Sequence, residues 1–178
     1  MSDLDTNVIR LAKSGDERAF ATLVGHYHAR CLRFAQQMLL SAEDAEEAVQ
    51  DAFVRVYDAL PRFNEDLRFE PWLFRILANR CRTARVRRRR LDTFVVFSDS
   101  TPEIAVGPEG DDAAQAELWA LLEALATDQR VAFLLHHVDG MSYEDMAVVT
   151  GVGVSALKMR VKRACDILRA RLLEAYRA

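Results

Sequence analysis

Residues 142–164, in the C-terminal part of the chain, read SYEDMAVVTGVGVSALKMRVKRA and are the most informative stretch of the sequence. Ser142 and Asp145 have the spacing of a capping box, in which a side chain satisfies an unpaired amide at a helix start. The tripeptide Gly151-Val152-Gly153 then supplies a tight turn, after which apolar residues recur every three or four positions in a longer helix. Two helices joined by a glycine turn, the second of them basic, predict a helix-turn-helix.

The second helix of this motif has a basic face and an apolar face. Side chains three and four positions apart share a face of a helix, so long basic residues there can reach base edges and phosphates in the major groove. The residues that we select for this role are Ser155, Lys158, Met159, Lys162 and Arg163. An ordinary solvated basic face explains the same spacing, and this helix alone does not separate the two interpretations.

The N-terminal half also has helical periodicity. One apolar stripe runs from Phe20 to Met38, and a second runs from Ala45 to Leu60, where Pro61 ends the helix. A third helix follows a loop and begins near Trp72, for which core packing is a better explanation than base stacking. The chain is therefore predicted to be all-α.

Charge is strongly segregated along the sequence. The formal net charge is only -3, but residues 75–90 contain eight arginines and no acid, whereas residues 91–129 contain no Lys or Arg. Arginines on a helix that begins with aromatic residues suit nucleic acid, because rings stack on bases while cations hold the backbone. In isolation the run is weaker evidence, since basic stretches also occur as solvated helix faces, localisation signals and unspecific polyanion sites.

Pro, Gly and acidic residues cluster in one stretch between the two helical groups. We interpret this stretch as an acidic linker that repels nucleic acid. The predicted organisation is two small helical domains, 1–91 and 112–178, joined by a linker at 92–111, with the helix-turn-helix in the second domain.

Several classes of function find no support in the sequence. It contains no phosphate-binding loop, nucleophile elbow or HExxH motif, so we expect no enzyme and no cofactor. His26, His28 and Cys31 do not have metal-ligand spacing on a helix, and we expect no metal site. Three dispersed cysteines and the lack of a signal peptide or long apolar span predict a cytoplasmic protein with no membrane insertion.

Four motifs in order resemble the extracytoplasmic-function sigma factors, group 4 of the sigma-70 family. Residues 11–20, LAKSGDERAF, look like the start of the first conserved domain, and residues 44–57, DAEEAVQDAFVRVY, are similar to its polymerase-docking helix. Residues 69–76, FEPWLFRI, are similar to the segment that handles the minus-ten element. The helix-turn-helix resembles the domain that reads the minus-thirty-five element. The resemblance covers nearly the whole chain.

This resemblance implies RNA polymerase core and promoter DNA as partners, with docking on the beta-prime clamp helices and the beta flap, and a possible anti-sigma factor. Implied core-binding residues are Asp44, Glu47, Gln50, Asp51 and Val54. Implied residues at the minus-ten element are Phe63, Asn64, Arg68, Phe69, Asn79, Arg80 and Arg85. The five residues of the C-terminal helix would face the upstream element, and Met159 stands where the family commonly has a small hydroxyl residue.

The family resemblance implies a function in promoter recognition and transcription initiation. The alternative is a conventional dimeric helix-turn-helix regulator, whose N-terminal helices would dimerise or sense a ligand. Such a regulator binds duplex operator alone, usually at two half-sites. A sigma factor instead needs core polymerase.

Overall fold

The structure is a computed structural model that describes residues 6–95 and 112–175. Over these residues it contains helices and turns but no strand, which agrees with the predicted all-α class. Most of the acidic linker lies outside the described residues. The α-helices are α1 Thr6–Lys13, α2 Glu17–Leu39, α3 Ala42–Ala59, α4 Phe69–Val95, α5 Asp112–Glu123, α6 Thr127–Phe133, α7 Tyr143–Thr150 and α8 Val154–Ala175.

Side-chain caps set the starts of three helices. The Asp16 carboxylate accepts hydrogen bonds from the amides of Arg18 and Ala19 at the start of α2. The Ser41 hydroxyl accepts from the Asp44 amide, and the Ser142 hydroxyl accepts from the Asp145 amide. Each cap satisfies an amide that the first turn leaves unpaired. The Ser142 cap was predicted from the sequence.

Helices α2, α3 and α4 pack together and form the core of the N-terminal half. The predicted stripes face inward, since Leu23, Phe34 and Met38 of α2 and Val49 and Val56 of α3 are buried. A 3-10 turn at Leu60–Arg62 ends α3, where the proline was expected to stop the helix. Helix α4 runs to Val95, beyond the predicted domain boundary at residue 91.

The C-terminal half contains the predicted helix-turn-helix. Helix α7 ends at Thr150 and is followed by Gly151, whose positive φ of 71° suits glycine, and α8 begins at Val154. A π-helical segment, Leu134–Val138, continues α6 and was not expected from the sequence. Asp139 follows this segment directly, is buried and accepts a hydrogen bond from Arg30 of α2 in the N-terminal half.

The two halves pack against one another. Helix α7 lies against α4, and α6 approaches α2. The buried apolar residues of both halves belong to one hydrophobic cluster.

Candidate functional site

An aromatic cluster supports the loop between α3 and α4. The Phe63 ring centroid lies 5.6 Å from that of Phe69 and 4.8 Å from that of Trp72, and Tyr27 of α2 also contacts Phe69. Phe63 and Phe69 are 4% and 5% exposed, so neither ring reaches the surface in this structure. Trp72 is half-buried, as expected for core packing. We therefore revise the sequence interpretation of Phe63 and Phe69, whose rings position the loop.

The surface of the loop consists of residues 64–68. The Asn64 side-chain oxygen accepts a hydrogen bond from the Asp66 amide, and the Asn64 carbonyl accepts one from the Leu67 amide, which together form a tight turn. Leu67 is 51% exposed. Arg68 is exposed and forms an ion pair with Asp145 of α7. Sequence reasoning selected the loop but not Leu67 individually, and no sequence signal points to the pairing of Arg68.

The three polar residues selected on α4 have different environments. Asn79 is exposed, and its side-chain oxygen accepts a hydrogen bond from Arg82 at 3.3 Å. Arg80 is half-buried. Arg85 is also half-buried and donates a hydrogen bond at 3.1 Å to the Met38 carbonyl, at the C-terminal end of α2. A cation at this end of a helix is favourable, so Arg85 has a structural role in addition to any role with DNA.

Residues selected for polymerase docking lie on two surfaces of α3. Asp44, Glu47 and Asp51 line a cleft of about 300 Å³ that also includes Arg80, Arg87 and Arg88 of α4. Ion pairs join Arg88 to Asp44 at 3.3 Å and Arg87 to Glu47 at 3.8 Å. The acidic face therefore has basic neighbours within the chain.

Gln50 and Val54 line a separate groove between α2 and α3, with a volume of about 810 Å³. Val54 and Tyr57 are exposed large apolar side chains at this groove, at 57% and 48%. Phe20 packs edge-on against Tyr57, and Glu17 and Glu46 add negative charge. An apolar groove with acidic residues suits a partner helix that combines apolar and basic side chains.

All five residues selected on α8 are exposed. On the other side of the same helix, Leu157, Val161 and Ala164 are buried. Met159 is 49% exposed, and the Lys158 ammonium lies 5.6 Å from the centre of the Tyr143 ring. The structure therefore agrees with the sequence prediction that α8 has one basic and one apolar face. The basic face is exposed to solvent.

The cysteines provide no sign of a metal centre. Cys31 and Cys81 are buried, and desolvation raises the pKa of each thiol to about 12. Cys165 is half-buried, and its sulfur lies 3.4 Å from Nε2 of His137. Among the described residues, no three His, Cys, Asp or Glu side chains are grouped as metal ligands.

Comparison with known families identifies both halves of the chain. The model for sigma-70 region 2 matches residues 23–91, and the model for sigma-70 region 4 matches residues 115–168. The second match contains the helix-turn-helix, and the first contains α3 and the part of α4 that carries the arginine run of residues 75–90. These regions define a sigma-70-type transcription initiation protein.

Relatives of known function match this chain over nearly their whole length. The chain is 32% identical to the RNA polymerase sigma factor CnrH of Cupriavidus metallidurans, over 97% of this chain and 96% of CnrH. The structure of CnrH with the cytosolic domain of CnrY superposes with a TM-score of 0.74 over 96% of this chain and 97% of that one. The ECF sigma-E factor of Escherichia coli is 27% identical over 92% of both chains.

The chain is also similar to the sigma factor in a second solved complex. The sigma factor RpoE of Bartonella quintana, solved with the anti-sigma factor NepR, is 27% identical and has a TM-score of 0.69, covering 86% of this chain and 96% of that one. The chain belongs to the extracytoplasmic-function group of sigma-70 RNA polymerase sigma factors. Its function is promoter-specific transcription initiation, and nothing favours the dimeric regulator.

Proposed function

We propose that the N-terminal half docks on core polymerase and handles the minus-ten element, while α8 reads the minus-thirty-five element. The observation that carries this proposal is the face of α8 on which Ser155, Lys158, Met159, Lys162 and Arg163 are all exposed. Basic side chains on this face are spaced to enter a major groove, and the exposed Met159 suits apolar contact with a thymine methyl.

The groove on α3 is the proposed site for a clamp helix of the beta-prime subunit. Val54 and Tyr57 offer apolar contact area, and Gln50 offers an amide at the same groove. The acids Asp44, Glu47 and Asp51 lie on the neighbouring surface of α3 and attract a basic partner. The beta flap is the proposed contact of the C-terminal half.

At the minus-ten element we assign direct contact to the exposed loop and the adjoining face of α4. Asn64, Leu67 and Arg68 offer polar, apolar and cationic groups on one short turn. Extruding a base from the stack costs a few kcal/mol, which a shaped pocket and nearby cations offset. Asn79 and Arg80 are assigned to the adjoining DNA. The buried rings of Phe63 and Phe69 support the loop from the protein interior, and Arg85 stabilises the C-terminal end of α2.

We further propose that the protein acts in the cytoplasm, catalyses no covalent chemistry and is held by an anti-sigma factor. Similarity to B. quintana RpoE, which was solved with NepR, supports such a partner. None of the helices within residues 6–95 and 112–175 is long and apolar enough to cross a membrane.

Transcription reconstituted from core polymerase, this protein and a pool of promoters tests the function. Core-dependent transcripts from a subset of promoters are expected, and core without the protein is the control. Failure to bind core under conditions in which a housekeeping sigma factor binds would overturn the proposal. Binding of duplex DNA by a dimer without core would indicate the regulator instead.

A further inference from the structure

Tyr143, the first residue of α7, contacts both the basic face of α8 and the π-helical segment. The Lys158 ammonium lies 5.6 Å from the centre of the Tyr143 ring. The His136 ring centroid lies 4.5 Å from the same centre, and the two ring planes are inclined at 28°, which is a stacked arrangement. One aromatic ring thus links a residue assigned to the upstream element to the segment that precedes α7.

The groups around Tyr143 fix the position of its ring. Tyr143 is half-buried and packs against the hydrophobic core. The Ser142 cap sets the start of α7 directly before it, and Nδ1 of His136 lies 3.3 Å from the Met141 carbonyl oxygen. A tyrosine side chain also has few rotatable bonds, so holding its ring in place costs little conformational entropy. The ring is therefore a rigid surface beside α8.

Lys158, in contrast, has a long and exposed side chain. Such a side chain loses much rotamer freedom when it is fixed in a complex. Lys162 lies one helical turn farther along the same face, and like charges at this spacing repel each other. Attraction of the ammonium to the face of an aromatic ring opposes this repulsion. The Tyr143 ring therefore restricts Lys158 to fewer conformers before DNA binds.

The ring holds the Lys158 ammonium without neutralising its charge. Arg160 of the same helix lies 3.0 Å from the Asp128 carboxylate, so its charge is matched within the chain. No carboxylate within residues 6–95 and 112–175 lies at ion-pair distance from Lys158. An ammonium has several N–H donors, so contact with a ring leaves others for a phosphate or a base edge. The contact with Tyr143 can therefore persist in a complex with DNA.

We infer that Tyr143 is a positioning residue for reading of the upstream element, whose ring holds the Lys158 ammonium on the exposed face of α8. This inference rests on the proposed function of α8. A larger fraction of the free protein then has Lys158 in the conformer that binds DNA, which raises the apparent affinity. Tyr143 acts through Lys158, so its effect on DNA binding should disappear when Lys158 is removed.

The first experiment tests the ring contact in the free, full-length protein, without DNA or polymerase. In nuclear magnetic resonance spectra, the ring current of Tyr143 should displace the ε-methylene protons of Lys158 from those of Lys162, which is exposed on the same face and serves as the reference. Tyr143→Phe should keep the displacement, and Tyr143→Leu should remove it. Coincident Lys158 and Lys162 signals in the wild type, or a displacement that persists in Tyr143→Leu, would overturn the inference.

The second experiment measures the affinity of the holoenzyme, formed from core polymerase and this protein, for a promoter that it transcribes from the pool. Tyr143→Leu, Lys158→Met and the double variant form a double-mutant cycle. Tyr143→Leu should lower affinity about two- to fivefold, as expected for a cation–π contact at an exposed site, and should have no further effect in the Lys158→Met background. Equal losses in both backgrounds would refute the role of Tyr143, as would tighter binding by Tyr143→Leu.

Two further variants separate the ring from other properties of Tyr143. Tyr143→Phe retains the ring and should match wild type, whereas a loss equal to that of Tyr143→Leu would assign the effect to the hydroxyl and contradict the inference. Circular dichroism checks helicity. If Tyr143→Leu fails to fold, His136→Ala removes the stacked imidazole instead. It should lower affinity when Lys158 is present and not in the Lys158→Met background, and an equal loss in both would count against the inference.

Lys162→Ala and Arg163→Ala distinguish failure of this inference from failure of the proposed function. If they lower promoter affinity while the cycle of Tyr143 and Lys158 is additive, α8 reads DNA and the role of Tyr143 is wrong. If the holoenzyme transcribes no promoter, or if none of the α8 variants lowers affinity, the proposed function of α8 fails and the inference fails with it.

Discussion

A guanidinium nitrogen of Arg88 on α4 lies 3.3 Å from a carboxylate oxygen of Asp44 on α3. The arginine run and the acidic docking face are thus neighbours in the folded chain. Both side chains are more than a third exposed, so the pair contributes little to stability. Its main consequence is that the carboxylates of α3 that are proposed to bind a basic partner already lie next to arginine side chains of α4.

Replacing Asp44 with Asn should leave stability nearly unchanged while weakening core binding. An exposed ion pair is worth about 0–1 kcal/mol, so the free energy of unfolding in urea should change by less than about 1 kcal/mol. Affinity for core polymerase should fall because the docking face loses a charge. Glu43→Gln removes a charge from the same helix at an exposed position and serves as the control. Equal losses for both variants would indicate a general charge effect.

Val54→Asp tests the groove between α2 and α3. A charge placed among Phe20, Tyr57 and the other apolar side chains should weaken core binding at least about tenfold, since burying an unpaired charge in an interface is costly. Val148→Asp makes the same change at an exposed valine of α7, which is outside the groove. Binding is measured by polarisation with labelled protein. Wild-type affinity for Val54→Asp would contradict the docking assignment.

Substitutions at Phe63 and Leu67 distinguish a residue that supports the loop from a residue that contacts DNA. Phe63→Ala should destabilise the protein by about 3–5 kcal/mol, because it removes a buried ring from the aromatic cluster. Leu67→Ala is at an exposed position and should change stability by less than about 0.5 kcal/mol. Urea denaturation provides both values. Permanganate footprinting should show reduced promoter melting with Leu67→Ala, and undiminished melting would remove Leu67 from the site.

Lys162→Ala and Arg163→Ala test the reading face of α8. Each should cost about 1–3 kcal/mol in promoter affinity if the side chain contacts a base, and the loss should depend on the upstream sequence. Arg169→Ala, at an exposed position farther along α8, is the control. A uniform loss across all promoters would assign phosphate contacts to Lys162 and Arg163.

The three cysteines should differ in reactivity. At about pH 8, the thiols of Cys31 and Cys81 remain protonated because burial raises the pKa of each to about 12, so Cys165 should be alkylated first. Mass spectrometry after a short exposure to maleimide should show one modified cysteine in the native protein and three after unfolding in urea. Cys165→Ser should abolish the native modification. Rapid labelling of Cys31 would contradict its burial.

Local features were predictable because their causes lie within a few residues of one another. The Ser142 cap, the turn at Gly151 and the exposed face of α8 all follow from residue type and helical spacing. The π-helical segment at Leu134–Val138 was missed because its sequence continues an ordinary apolar helical pattern.

Local residue patterns are enough to predict the helices, their inward faces, the order of the two regions and the resemblance to sigma factors. The burial of Phe63 and Phe69, the contact of Arg88 with Asp44 and the contact of Arg30 with Asp139, 109 residues away, depend on how the helices pack. Periodicity assigns a side chain to a face of its own helix. Periodicity does not predict which distant group packs against that face, because such a contact depends on how whole helices are placed relative to one another.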